Sequence, residues 1–463
     1  MNLVLFQRDI RIFDHQPLAE AAKIGEVLPL YVVEPSVWSE TELSARHFQF
    51  VLESLEELSV QIQELGGELF FAFSEMEAVL SELLNKYGSL TLFAHSQTIL
   101  RSRISQWVDE NNQKLFTYGM EFENVSEKGF KSRWTDNLKK PIIDVPKRIQ
   151  KPTCIPELLF TDIKRFRNFK MNGSKIRFGQ QGGEIKAIET LESFLENRFA
   201  NYIINHNKPL PSSLSSSRLS AYLTWGNISE RMIYQKTIER LQTCSDEEKR
   251  QFEEFLSKLY ARAKIIQFAK EYPVSAEMSA IKKTWNEEWY KRWSDGKTGI
   301  PIIDAAMRSV YKTGWLNFNL RAMVISFICN TLQLDCRKPS IALAELFLDY
   351  EPEIHNFYVQ KQAGFFEQHK VKWINPIKFG KQHDPDGAFI RRYVTELNNV
   401  PAEFIHEPWL YPGFYKLEYQ TPMVDAVKMN KNAKLQFEKK INNESAALAP
   451  KKAGETEQLS FDL

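Results

Sequence analysis

The sequence predicts two architectures in series: an α/β domain on a parallel sheet, then a larger all-α domain. Over the first ~120 residues, short apolar runs alternate with amphipathic segments, as in a parallel sheet covered by helices on both faces. Beyond about residue 187 the apolar period is helical almost to Tyr411, with few strand candidates. Between them, the basic and proline-bearing "KKPIIDVPKRIQKPTCIP" breaks both periods and reads as a connector.

The elements follow in order. "LVLF" (3–6) is the first strand and "VLPLYVV" (27–33) the second. "SARHFQFVLESLEELSVQIQELGG" is a helix capped by Ser44 and stopped by Gly66 and Gly67. "ELFFAF" (68–73) is the third strand, and Ser74 caps the helix "EMEAVLSELLNKYG". "LTLFA" (90–94), a helix near "SRISQWVDEN" and the strand "KLFTY" complete the domain. No GxGxxG follows the first strand, so the topology is Rossmann-like without the usual phosphate fingerprint. The expected division is an α/β domain over 1–130, a linker over 131–186, a helical domain over 187–423 and a disordered tail over 424–463.

With 463 residues, 43% hydrophobic and 26% charged, the chain is long enough for two or three domains with their own cores. A net charge of +1 excludes a global basic field, so any nucleic-acid face must be a local patch. Cys154, Cys244, Cys329 and Cys336 fall in no metal-type spacing. They read as reduced thiols of a cytoplasmic protein, with no metal site expected. No stretch reaches membrane-spanning length, and nothing predicts more than a monomer.

Three segments of the helical part set polar groups among apolar ones. "LSSSRLSAYLTWGNIS" clusters Ser215, Ser216, Ser217 and Ser220 near a helix start, either an anion site or a serine-rich loop with one cap. "TGWLNFNLRAMVISF" buries Arg321 among apolar residues, which costs several kcal/mol unless a carboxylate meets it. "LFLDYEPEIHNFYVQKQAGF" supplies Asp349, Glu351 and His355. Asp349 is the natural partner of Arg321; spacing alone slightly favours an ion pair that merely ties two helices together.

The blocks "FQRDIRIFDHQPLAEA", "SSRLSAYLTWGNIS", "WSDGKTGIPIIDAAMRSVYKTGWLNFNLRAMVISF", "FLDYEPEIHN" and "DPDGAFIRRYVTELNNVP" resemble the photolyase/cryptochrome family. The resemblance implies an FAD-binding helical domain and light-driven repair of UV-damaged DNA by electron transfer from excited reduced FAD to a pyrimidine dimer. The alternatives are a cryptochrome-like light receptor and a DNA-binding flavoprotein without photochemistry. It implies a diphosphate site at Ser216, Ser217, Arg218, Leu219 and Ser220, with Tyr202 upstream. It sets Arg321 and Asp349 beside the flavin, with Phe255, Arg262, Tyr350 and Glu351 around them. His355 falls at the residue facing flavin N5, as a proton donor or as a partner of a local carbonyl. Lys258, Lys361 and Asn317 fall at the DNA side. An antenna chromophore of folate or deazaflavin type is left open.

Departures accompany the match. Ala261 and Lys361 stand where the resemblance expects stacking tryptophans, Lys258 where it expects a glutamate, and Phe318 where it expects an asparagine. Of the tryptophan relay that reduces the flavin, only the outer member matches, at Trp293. Cys336 and Val359 occupy the other two positions, with Tyr350, Tyr358 or Trp373 as alternative carriers. The terminal "QLSFDL" resembles the bacterial sliding-clamp docking motif, through Gln458, Leu459, Phe461 and Leu463.

Overall fold

The computed structural model describes residues 1–96, 98–119, 125–269, 285–364 and 373–447. It divides into two compact units: residues 1–176, 180–199 and 217–256, and residues 177–179, 200–216 and 257–463.

The first unit holds the predicted sheet. Its strands are β1 (Asn2–Phe6), β2 (Val27–Val33), β3 (Phe70–Phe73), β4 (Thr91–His95) and β5 (Lys114–Tyr118). All pairings are parallel, in the order β3-β2-β1-β4-β5. β2 is buried at every residue, which is why it reads as one unbroken apolar run. The order reverses between β1 and β4, so the loops at their carboxyl ends border the switch point of the sheet. Ser44 and His47 form a reciprocal capping box for the helix Ala45–Glu64. The next helix, Met76–Tyr87, starts after Glu75 rather than under a Ser74 cap.

The expected linker is not a free connector. Gln150 bridges to Glu26 and Phe160 to Phe71, while Ile149 and Phe166 are buried. These scattered apolar residues, masked in sequence by the surrounding lysines, fasten the stretch to the sheet unit. The helix Glu184–Glu196 joins the same unit. Its Glu184 carboxylate accepts from the N–H groups of Ile12 and Phe13, both at 3.0 Å.

The helical unit packs its core around Pro301–Thr313 and Phe318–Ser326. Asp304 is fully buried and accepts from Thr298, Gly299 and the Tyr419 hydroxyl, which closes the turn before its own helix. The helix Phe318–Ser326 runs directly into a buried π-helical turn, Phe327–Thr331. From that turn Asn330 donates to the Gln362 carbonyl at 2.7 Å.

The disordered-tail expectation is corrected over most of its length. Ala426–Ala447 is a helix. It buries Ala426 and Ala433, and Asn430 donates to Thr331 Oγ1 and the Ile374 carbonyl. Small and polar contact residues gave no apolar stripe for the sequence to display. Gln458, Leu459, Phe461 and Leu463 lie outside the described residues. Among the described residues, no helix is long and apolar enough to cross a membrane.

Candidate functional site

Arg321 finds the partner its burial demands. Its Nη2 donates to both oxygens of Asp349 at 2.8 Å, and its Nε donates to the Leu316 carbonyl at 3.0 Å. The guanidinium lies over the Phe347 ring, 4.0 Å from the centroid. One end is thus fixed on an aromatic floor and a carboxylate. The other is not used: Nη1 makes no hydrogen bond to any described residue, and the side chain is 24% exposed against 7% for Asp349. Phe347 was missed in the sequence, although its place two residues before Asp349 was a signal.

A second pair lies in the same unit. Arg262 Nη2 donates to Glu351 Oε2 at 3.2 Å, and both side chains are mostly buried. Glu351 also ends the loop from Asp349 and precedes the helix Pro352–Ala363. Between the two acids sits Tyr350, buried, with its ring 5.4 Å from that of His355.

His355 takes the local-carbonyl role. Its Nε2 lies 3.0 Å from both the Ser340 carbonyl and the Ser340 hydroxyl. A carbonyl only accepts, so Nε2 carries the proton and Nδ1 is bare in the neutral ring. Burial pulls the imidazole down to about 4, only partly offset by the Ser340 bond. At neutral pH the His355 ring is therefore neutral, with its one N–H directed at Ser340, which is the second of its two expected roles.

The serine segment is shaped by the loop after β1. Arg218 takes a left-handed backbone, φ 60, a conformation that costs a non-glycine residue energy and collects at functional sites. Gln180 donates to the Arg218 carbonyl at 2.7 Å, and Arg198 to that of Ser217 at 3.1 Å. The helix Ser220–Trp225 then ends at Gly226, φ 70, where a Cβ would lie 2.0 Å from the Arg8 carbonyl oxygen. Arg11 donates to the Gly226 carbonyl and Asn227 to that of Ile10. The motif "FQRDIR" thus clasps the C-terminal end of this helix, while Gln180 and Arg198 hold the backbone of Arg218 and Ser217 before its start. In the other unit, Tyr202 is buried beside His206, and Ser216 follows the short helix Pro211–Ser215.

Other expected site residues are placed differently. Phe255 is a core residue against Phe194, with ring centroids 4.8 Å apart. Asn317, expected at DNA, is 5% exposed: its oxygen caps Leu320 N–H, and its amide donates to Ser212 Oγ and the Lys208 carbonyl. It is a helix cap with no donor left for a substrate. Trp293, expected at the surface, is fully buried with an unsatisfied indole N–H. Tyr290 and the part-exposed Trp285 continue outward from it, at 6.2 and then 5.2 Å between centroids. Cys336 and Val359 are buried aliphatic-sized fillers. Lys258 and Lys361 are both partly buried, and Lys361 Nζ lies 5.9 Å from the centroid of the Phe357 ring.

One cluster was invisible in the sequence. Asp9, His15 and His95 bring their ligand-type atoms together at the ends of β1 and β4. Leu18 N–H points at His15 Nδ1 at 3.1 Å, so the proton sits on Nε2 and is donated to Asp9 Oδ2, also at 3.1 Å. His95 Nδ1 is 2.7 Å from the same oxygen, and Gln7 N–H donates to Oδ1. Burial pushes Asp9 up, but the histidine hydrogen bonds outweigh it and hold the carboxyl well below its ordinary range. Burial draws His15 down to about 4 against the pull of Asp9. A cation on His15 Nε2 would move the proton to Nδ1, against Leu18 N–H. The cluster is therefore a hydrogen-bonded anchor.

Taken together, these residues offer groups of the kind a flavin needs: a fixed cation with a donor not bound to protein, two carboxylates that hold arginines, and aromatic neighbours. Comparison with known proteins points the same way. Residues 250–439 match the family model described as the FAD binding domain of DNA photolyase, and residues 2–128 match that of DNA photolyase. A deoxyribodipyrimidine photo-lyase of Vibrio cholerae is 26% identical, over 92% of this chain and 96% of its own. The crystal structure of a bacterial class III photolyase from Agrobacterium tumefaciens superposes with a TM-score of 0.83 at 22% identity, over 95% of this chain and 98% of that one. The Synechocystis cryptochrome superposes with a TM-score of 0.82 at 21% identity, over 94% and 98%.

Proposed function

Because this chain belongs to the DNA photolyase family, whose models match it at both ends, we propose that it is an FAD-dependent, blue-light-driven enzyme that opens pyrimidine dimers in UV-damaged DNA. The observation that carries this reading is the Arg321–Asp349 pair with its uncommitted Nη1. When bound, reduced FAD supplies the photo-excited electron that opens the lesion. The protein's own residues position and polarise. Asp349 and Phe347 fix the Arg321 plane, and Nη1 is then aimed without further ordering cost. A permanent positive charge at that point favours an anionic, reduced ring. Ser217, Leu219 and Ser220, on either side of the left-handed Arg218, are assigned to the diphosphate. His355, neutral and committed to Ser340, is assigned a packing and shape role.

The test uses purified, FAD-loaded protein reduced chemically, so that the altered tryptophan relay has no bearing. Under blue light it should remove a defined cyclobutane dimer from an oligonucleotide, and none in the dark. Absence of light-dependent loss of either cyclobutane or (6-4) lesions overturns the repair reading and leaves the light-receptor alternative. The spacing of Gln458, Leu459, Phe461 and Leu463 supports docking to a bacterial sliding clamp. Deleting these last six residues should abolish clamp binding in solution while dark DNA affinity stays the same.

A further inference from the structure

We infer that Phe318, braced by Tyr358, is a base-stacking platform of this chain and sets how a pyrimidine is received; this rests on the DNA reading above. Phe318 opens the helix that carries Arg321, three residues away and so on the same face. It is 41% exposed although the backbone around it is rigid. Asn317 beneath it makes three side-chain hydrogen bonds, and Asn319 beside it bonds Asn207 at 2.5 Å. Its ring meets Tyr358 edge to face, with centroids 4.7 Å apart and planes at 64°. Tyr358 in turn packs against Phe357 and lies within the field of Arg321. One turn further along, the same helix carries Lys361.

An aromatic face of this kind, stiffly mounted, wet on one side and next to a cation, is what a nucleobase requires: stacking for the ring and charge for the phosphate. Exposed phenylalanines are common singly, and exposure alone carries nothing. The argument lies in the position three residues from the flavin-side arginine and in the aromatic bracing. Ala261 and Lys361 present no aromatic face at all. The platform is thus supplied by Phe318 and Tyr358.

The experiment measures dark affinity by fluorescence anisotropy, using the FAD-loaded full chain. The probes are a single-stranded oligonucleotide with one thymine dimer and the same strand undamaged. Phe318→Ala should weaken binding of both roughly tenfold or more. Phe318→Trp should keep affinity within about threefold, and Tyr358→Ala should show an intermediate loss. Tyr415→Ala, at a residue 78% exposed elsewhere in the unit, serves as the control and should change nothing. All variants should keep wild-type flavin absorbance. Unchanged affinity in Phe318→Ala overturns the platform. Wild-type binding of both probes without preference, still lost in Phe318→Ala, keeps the platform and counts against a pyrimidine dimer as the substrate. No binding by the wild type sinks both.

Discussion

Each unit buries a carboxylate that gathers nitrogen donors, and the two clusters differ in what they leave over. Asp9 takes one backbone N–H and two imidazoles, and His15 is closed on its far side by Leu18, so neither Asp9 nor His15 has a donor to spare. Asp349 takes two bonds from one Arg321 nitrogen, and the guanidinium still has Nη1 and a quarter of its surface open. Both are costly to bury. Only the second has donors in excess of what the protein consumes. On the reading proposed above, that excess is what faces the ligand, and the closed cluster is architecture.

Substitutions can break this contrast. The largest effect is expected on the open cluster: Arg321→Ala or Asp349→Ala should lower visible flavin absorbance per purified chain by roughly tenfold or more, since charge-assisted bonds are lost on the ligand side. Full flavin in both variants would mean that the spare donor serves nothing. In the closed cluster, Asp9→Ala should cost about 3–5 kcal/mol in denaturant unfolding while flavin per folded chain stays at the wild-type level. If instead stability holds and flavin falls, the roles of the two clusters are reversed.

Acid sharpens the comparison. His15 titrates near 4 in the folded chain and near 6.5 unfolded. Between those values the unfolded chain binds the extra proton, so stability rises with pH and is lost as pH falls from about 6.5 towards 4. The full contribution is about 3 kcal/mol. His15→Asn, which keeps an N-cap acceptor and cannot charge, should remove about 1.4 kcal/mol per pH unit from the slope in that window. An unchanged slope would place the titration elsewhere. The smallest effect is expected at Asn317→Ala. Loss of the cap should cost about 1 kcal/mol of stability and, through a looser mounting of Phe318, weaken dark DNA affinity by no more than about threefold; a loss as large as that of Phe318→Ala would return Asn317 to the substrate side.

The strands were legible because each is a short apolar run between turn residues. Their order was not, since an apolar run does not name its neighbours. That is why the Asp9 cluster stayed hidden: it needs β1 beside β4, which brings His95 to Asp9 across 86 positions. Arg321 and Asp349 were readable as a pair because an ion in an apolar helix demands one. Arg262 and Glu351 were each visible, but nothing in the spacing joined them. Phe318 was noticed only as a departure. Its meaning came from the Tyr358 ring and from its exposure, neither of which a linear pattern carries.

The π-helical turn at Phe327–Thr331 has a consequence for how this chain tolerates length changes. Such a turn accommodates one residue more than regular winding would. A deletion within the turn can be absorbed by closing it to an ordinary helix, but one in the regular, buried stretch Met323–Ser326 before it should rotate the following residues by ~100° about the axis. Asn330 would then miss the Gln362 carbonyl, and Thr331 would miss Asn430. A one-residue loss within a wholly buried segment should therefore be more harmful than a longer excision from the chain's surface loops.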